Sequence, residues 1–201
     1  MHEETSSAKT ASSSGWRRLA FWVVLAVAGY LAWPYLPPIS KTPFYVIKLS
    51  LMEAPTSLPI PVQGIGVKQL RDTWNASRSG GRVHEGIDIF ARRGTPVLAT
   101  TEGIVTSVGT NNLGGKVVWV LGPGGHRHYY AHLDDYAEIA AGDRVVPGSL
   151  LGMVGNTGNA RGTPPHLHYG IYKNGALNPY PLLKAGPGVS AEFVNDRSSL
   201  P

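Results

Sequence analysis

Glycine and proline punctuate this chain so densely that they decide most of what it can fold into. With 25 glycines and 16 prolines in 201 residues, they make up roughly a fifth of the chain, against about 12% in ordinary proteins. Coiled coils and helical bundles need long runs of Ala, Glu, Lys and Leu, so both are excluded. Only 15% of the residues are charged, whereas 42% are hydrophobic, which supplies a core and argues against full disorder. Many short strands joined by Gly/Pro turns satisfy both constraints. The absence of cysteine removes disulfides, thiolate catalysis and Cys-ligated metal together. A net charge of +5 gives a mild lean toward anionic partners. No basic stripe interleaved with aromatics is present, so nucleic acid is not an expected partner.

The punctuation is uneven along the chain. Residues 1–18, Ser/Thr-rich and ending in Arg17-Arg18, read as a disordered cytoplasmic tail. The uncharged run LAFWVVLAVAGYLAWPYL spans 19–36. As a helix it rises about 27 Å, near the roughly 30 Å hydrocarbon core, and reads as one transmembrane signal anchor. The arginines before it put the N-terminus in the cytoplasm. Ala26-Val27-Ala28 keeps a cleaved signal peptide as the rival; either way the remainder is exported. Residues 37–60, carrying Pro37, Pro38, Pro43, Pro55 and Pro59, read as a Pro-rich linker. The folded domain is expected over 61–184, with a C-terminal tail over 185–201.

Within the domain, β-type runs fall at 97–99, 103–108, 116–121, 127–131, 144–146, 150–154 and 166–172, separated by Gly-rich turns. The fold class is all-β: a small antiparallel sheet or barrel-like domain with Gly-rich hairpins. Lys68–Trp74 is the one candidate for a short helix there.

The histidines cluster. His84 and Asp88 sit in RVHEGIDIF, His126, His128 and His132 in GGHRHYYAHLDD, and His166 and His168 in TPPHLHYGIY. On strands of period two, His84 and Asp88 share a face, as do His166 and His168. Two imidazoles and a carboxylate suit zinc, and a hydrolytic site uses three protein ligands and leaves a position for water. A spare histidine must then stand off the metal and handle protons. His128 and Tyr130 align with His132 if their strand is regular. That alignment leaves three readings for His128: lining a cleft, binding a second metal weakly, or lying exposed on the strand.

These motifs resemble the lysostaphin-type (LytM-like) zinc endopeptidases, which cut peptidoglycan cross-links. H-x-G-x-D at 84–88, GTPV at 94–97, Y-A-H-L at 130–133, G-D-x-V at 142–145, V-G-N-T-G at 154–158 and H-L-H at 166–168 follow the family's order. The resemblance implies His84, Asp88 and His168 as ligands of one Zn2+ ion and His132 and His166 as catalytic histidines, without saying which is the general base. It also places Asn156 and Thr157 near the cleft. Arg92, in a loop where the family commonly has small residues, is a candidate contact for substrate carboxylates, with His128 and Tyr130 as further substrate-binding candidates.

The expectation is a membrane-anchored zinc metalloendopeptidase acting on peptidoglycan stem peptides. It would be single-pass in a bacterial cell membrane, with its domain periplasmic or extracytoplasmic, and would cut the D,D cross-link. The alternative is a non-catalytic LytM-like regulator that activates cell-wall amidases, for which a protein partner would be needed. A lipoyl-type carrier is disfavoured because the matching hairpin segments, 94–109 and 142–155, contain no Lys.

Overall fold

The structure, a computed structural model, describes residues 14–32 and 38–186. Two compact units divide the chain, Met1–Lys41 and Thr42–Pro201.

In the first unit, α1 (Ser14–Ala32) carries most of the apolar run. Among the described residues no helix is long and apolar enough to cross a membrane. The described helix is thus shorter than the expected span over 19–36 and does not show it. The helix holds 19–32 only, about 21 Å at 1.5 Å per residue, and begins with Arg17 and Arg18 inside it. Trp33 to Pro37, and the expected tails over 1–13 and 187–201, lie outside the described residues. Where a Pro-rich linker is expected, the chain instead forms α2 (Pro38–Leu51), with Pro43 inside it. Proline at the first helical position leaves no donor unsatisfied. Leu49 of α2 is fully buried, and so are Leu58 and Ile60 further along, so the core takes in residues before 61.

Among the described residues, the second unit is built on nine strands, every pairing antiparallel. They are β1 (Ile87–Phe90), β2 (Pro96–Leu98), β3 (Gly103–Asn111), β4 (Gly115–Leu121), β5 (Arg127–Tyr136), β6 (Arg144–Val145), β7 (Leu150–Val154), β8 (His166–Tyr172) and β9 (Ala176–Leu177). The main path runs β1-β8-β5-β4-β3-β6; β7 joins β5 and β2, and β9 extends β8. Seven of these strands lie where the sequence predicts them. The short helix expected over 68–74 shrinks to one 3-10 turn at Val67–Gln69. A closing helix, α3 (Tyr180–Ala185), buries Leu183, and Leu182 accepts a backbone bond from Leu58 at 3.0 Å.

Strand alternation separates the sheet into two faces. Ile87 and Ile89 of β1, Val118 and Val120 of β4, Tyr130 of β5, and Leu167, Tyr169 and Ile171 of β8 all join the core. Residues at the intervening positions, Asp88, Trp119, Tyr129, Ala131, His166, His168 and Tyr172, line an open cleft of about 1200 Å³. One face stabilises the fold; the other is left to carry chemistry.

Candidate active site

The cleft face is organised by register. Asp88 of β1 pairs with His168 of β8, and His168 pairs with Ala131 of β5. His84 reaches the same point without being on a strand: it precedes β1, and the chain bends at Gly86. A Cβ at Gly86 would lie 2.6 Å from the Tyr169 carbonyl and 2.8 Å from the His168 ring. The glycine of H-x-G-x-D therefore lets the bend press against the strand that carries His168.

His84, Asp88 and His168 offer one ligand atom each, all within 4.8 Å of one another. His84 Nε2 lies 2.8 Å from His168 Nδ1 and 3.0 Å from Asp88 Oδ1; the third edge is 3.3 Å. His84 Nδ1 donates to the Thr73 carbonyl at 2.7 Å, an acceptor only, so the neutral ring turns a bare Nε2 inward. Three ligand atoms converging this closely could hold a metal ion between them. Edges near 3.3 Å are what a tetrahedral ion with arms of about 2.0 Å produces, and the His/Asp donor set suits zinc. The residues fit the ion.

Two residues unforeseen in the sequence support this cluster. Thr73 also accepts the backbone N–H of Asp88 on its Oγ1 at 3.0 Å, so one side chain and its carbonyl fix both His84 and Asp88. Arg78 donates to Asp88 Oδ2 at 2.5 Å, leaving Oδ1 for the cluster. Burial opposes ionisation of Asp88, but the adjacent His168 and His84 rings and the bond from Arg78 outweigh it and hold the carboxyl well below the usual carboxylate range. Burial likewise lowers the pKa of His168. Both shifts favour the unprotonated forms that bind metal.

Beside the cluster stand His132 and His166, ring centroids 5.0 Å apart. His132 Nδ1 donates to the Thr157 carbonyl at 2.9 Å and His166 Nδ1 to the Pro164 carbonyl at 2.8 Å. Each neutral ring is thus left with a bare Nε2. His166 Nε2 lies 3.9 Å from Asp88 Oδ1, farther than any of the three edges of the cluster. Burial, then the charges of His168 and His166, push His132 down to about 4. Its ring is available as a base from about pH 4 upward.

His132 reaches this cleft through a backbone irregularity. Its φ is +64°, a left-handed conformation uncommon for a non-glycine residue, and it breaks the alternation of β5. The expected alignment of His128, Tyr130 and His132 is therefore corrected. His128 and Tyr130 are fully buried on the core face, in a network where Thr100 Oγ1 meets Tyr130 Oη at 3.0 Å and Tyr169 Oη at 2.9 Å, and Tyr169 Oη meets His128 Nδ1 at 2.7 Å. Neither is placed to touch a substrate. Tyr129, between them, lines the cleft instead.

Arg92 is exposed and is not among the residues that line the cleft. Its neighbour Arg93 is bonded to Asp134 and, at 2.5 Å, to Asn156 Oδ1. Asn156 spends its amide on the Thr163 carbonyl at 3.0 Å, so it ties loops together and does not line the cleft. Thr157 acts through His132: besides presenting its carbonyl, its Oγ1 donates to Leu133 O at 2.9 Å and accepts from Lys116 N at 2.9 Å.

Comparison with known proteins places this geometry. The model of peptidase family M23 matches residues 82–179. The catalytic domain of lysostaphin from Staphylococcus simulans superposes with a TM-score of 0.53 at 32% identity, covering 59% of this chain and 96% of that one. The chain belongs to peptidase family M23. Among curated relatives, the M23 domain is 43% identical over 128 residues to the L-Ala--D-Glu endopeptidase of Bacillus subtilis, covering 57% of this chain and 39% of that protein. It is 38% identical over 109 residues to the glycyl-glycine endopeptidase ALE-1 of Staphylococcus capitis, covering 51% and 29%. The chain thus spans less than two fifths of the length of these relatives.

Proposed function

We propose that this chain is a zinc metalloendopeptidase that hydrolyses peptide bonds of bacterial peptidoglycan. The observation that carries the reading is the division of labour in the cleft. Three donors converge on one point, and two further histidines, each pinned at Nδ1 by a backbone carbonyl, present bare Nε2 atoms beside it. Membership of M23 and the endopeptidase names of its relatives support it.

His84, Asp88 and His168 would hold the ion. When bound, zinc polarises a carbonyl and brings the pKa of a coordinated water toward ~7. The protein supplies the remaining steps. An Nε2 of the His132/His166 pair accepts a proton, and the same pair returns one to the leaving amine. Thr157 and Pro164 keep the rings in the tautomer that can do so. We assign the D,D cross-link as the bond cut and the cell envelope as the location, with membrane attachment through the apolar run behind Arg17-Arg18.

Mass analysis of muropeptides after digestion with the full chain, with and without chelator, tests the reaction and the bond. Chelator-sensitive loss of cross-linked dimers is expected. Cleavage within the stem between L-Ala and D-Glu would replace the assigned bond. Stoichiometric zinc with no cleavage of any muropeptide would overturn the enzyme reading in favour of an amidase regulator. Protease shaving of intact spheroplasts should remove the domain if the assigned location holds; full protection would contradict it.

A further inference from the structure

Register extends the cleft floor beyond the metal-binding row. Two residues along from Ala131 and His168, Tyr129 pairs with Gly170 on β8 and Trp119 on β4. Two residues further, Arg127 pairs with Tyr172 and Leu121. The side chains of these rows touch in sequence. Tyr129 lies edge-on to His168 at 5.8 Å, Trp119 sits 4.3 Å from Tyr129, and the Arg127 guanidinium lies 5.2 Å from the Trp119 ring centroid. Tyr172 closes the side at 5.5 Å from Trp119.

The aromatic surface is held in shape. Asn111 Nδ2 donates to Tyr129 Oη at 3.2 Å, and Tyr172 Oη donates to the Glu85 carbonyl at 3.2 Å. Arg127 is exposed and forms no ion pair among the described residues, while its stacking on Trp119 orients the planar fork. A guanidinium so arranged matches a carboxylate in bidentate fashion. Arg78, Arg82 and Glu85 also line the cleft; Arg78 is paired with Asp88, and Glu85 would repel an anion placed beside it.

We propose that Trp119, Tyr129, Tyr172 and Arg127 form a subsite that reads a free carboxylate on the peptide substrate, with the aromatic rings carrying the intervening chain. The inference rests on the peptidase reading and names the substrate class of the same cleft. Four residue steps along β5 lead from Arg127 to Ala131 in the row of His168, about 14 Å at ~3.4 Å per residue. The carboxylate therefore lies about four extended residues, or an equivalent side-chain reach, from the bond at the metal site.

Binding, measured apart from hydrolysis, tests this. Calorimetric titration of the full chain in chelator would compare a peptidoglycan stem tetrapeptide bearing free carboxylates with the same peptide amidated. The wild type should bind the free acid about tenfold tighter, the value of one charge-assisted contact, and Arg127→Gln should bring the two affinities within about twofold. Arg92→Gln, outside the cleft, should leave the preference intact. No preference in the wild type, a preference surviving Arg127→Gln, or equal loss in Arg92→Gln would each overturn the subsite. Failure of the zinc-loaded chain to cleave any cross-linked muropeptide or stem peptide, with the binding preference intact, would sink the peptidase reading and leave the subsite standing.

Discussion

Arg78 is the side chain whose role is most open to test. Its bond to Asp88 Oδ2 orients the carboxylate and keeps Oδ1 toward His84 and His168. Partners of metal ligands typically change metal affinity by 10–100-fold. Arg78→Ala is expected to weaken zinc binding by about that factor, read by competition with a chromogenic chelator, and Arg78→Lys should recover part of it. Unchanged affinity in Arg78→Ala would reduce the contact to surface decoration. Sequence reasoning reaches His84, Asp88, His132, His166 and His168 because ligand and base chemistry admits few residue types. It misses Arg78, Thr73 and Tyr129, whose residue types serve many purposes and whose value comes only from placement. It also misplaces His128 and Tyr130. Regular alternation puts them with His132, and a single left-handed residue at His132 reverses that parity.

Strands and turns account for how the five cleft residues stay in place. The pattern HLHYGIY reads directly as β8, with its histidines on one face and Leu167, Tyr169 and Ile171 on the other. Loops are less legible, because close backbone contacts leave no periodic trace. Gly158 has φ +68°, and a Cβ there would come within 2.2 Å of Gly115 N and 2.4 Å of Leu113 O. The turn after Thr157 is therefore wedged against the β3–β4 turn, and His132 N donates to Gly114 O in the same place at 2.7 Å. Gly158→Ala is expected to lower stability by about 1–3 kcal/mol through strain at a positive φ. It should also reduce kcat more than it raises KM, because it displaces the carbonyl that orients His132. Thermal unfolding and steady-state kinetics check the pair. Normal kcat in a destabilised variant would detach the loop from the chemistry. The helix α2, expected as linker, shows the opposite limit: its prolines at 38 and 43 read as spacer, yet its burial of Leu49 is a tertiary fact.

For the molecule as a whole, the buried network around His128 links stability to pH. Burial, then the charge of His126, pushes His128 down to about 3, and its Nε2 has no hydrogen-bond partner. Unfolding frees the ring to titrate near 6.5, so between about pH 6.5 and 3 the unfolded chain binds the extra proton. Stability is therefore fully present above 6.5 and is lost as pH falls through this window, by about 3 kcal/mol between pH 7 and 4 from this residue. Urea unfolding of the metal-free chain should show that loss, and His128→Phe should flatten it. The cleft is likewise a property of the whole fold: its groups come from 73 to 168 in sequence and meet only because β1, β8 and β5 are neighbours. The central claim is that one set of residues holds the ion and another moves protons. Zinc content per chain, measured on folded His84→Ala and His132→Ala alongside endopeptidase rate, tests it most directly. His84→Ala should lose zinc and activity together. His132→Ala should keep one zinc and lose about 10²–10⁴-fold in rate. Loss of zinc from His132→Ala, or its full activity, would contradict the account.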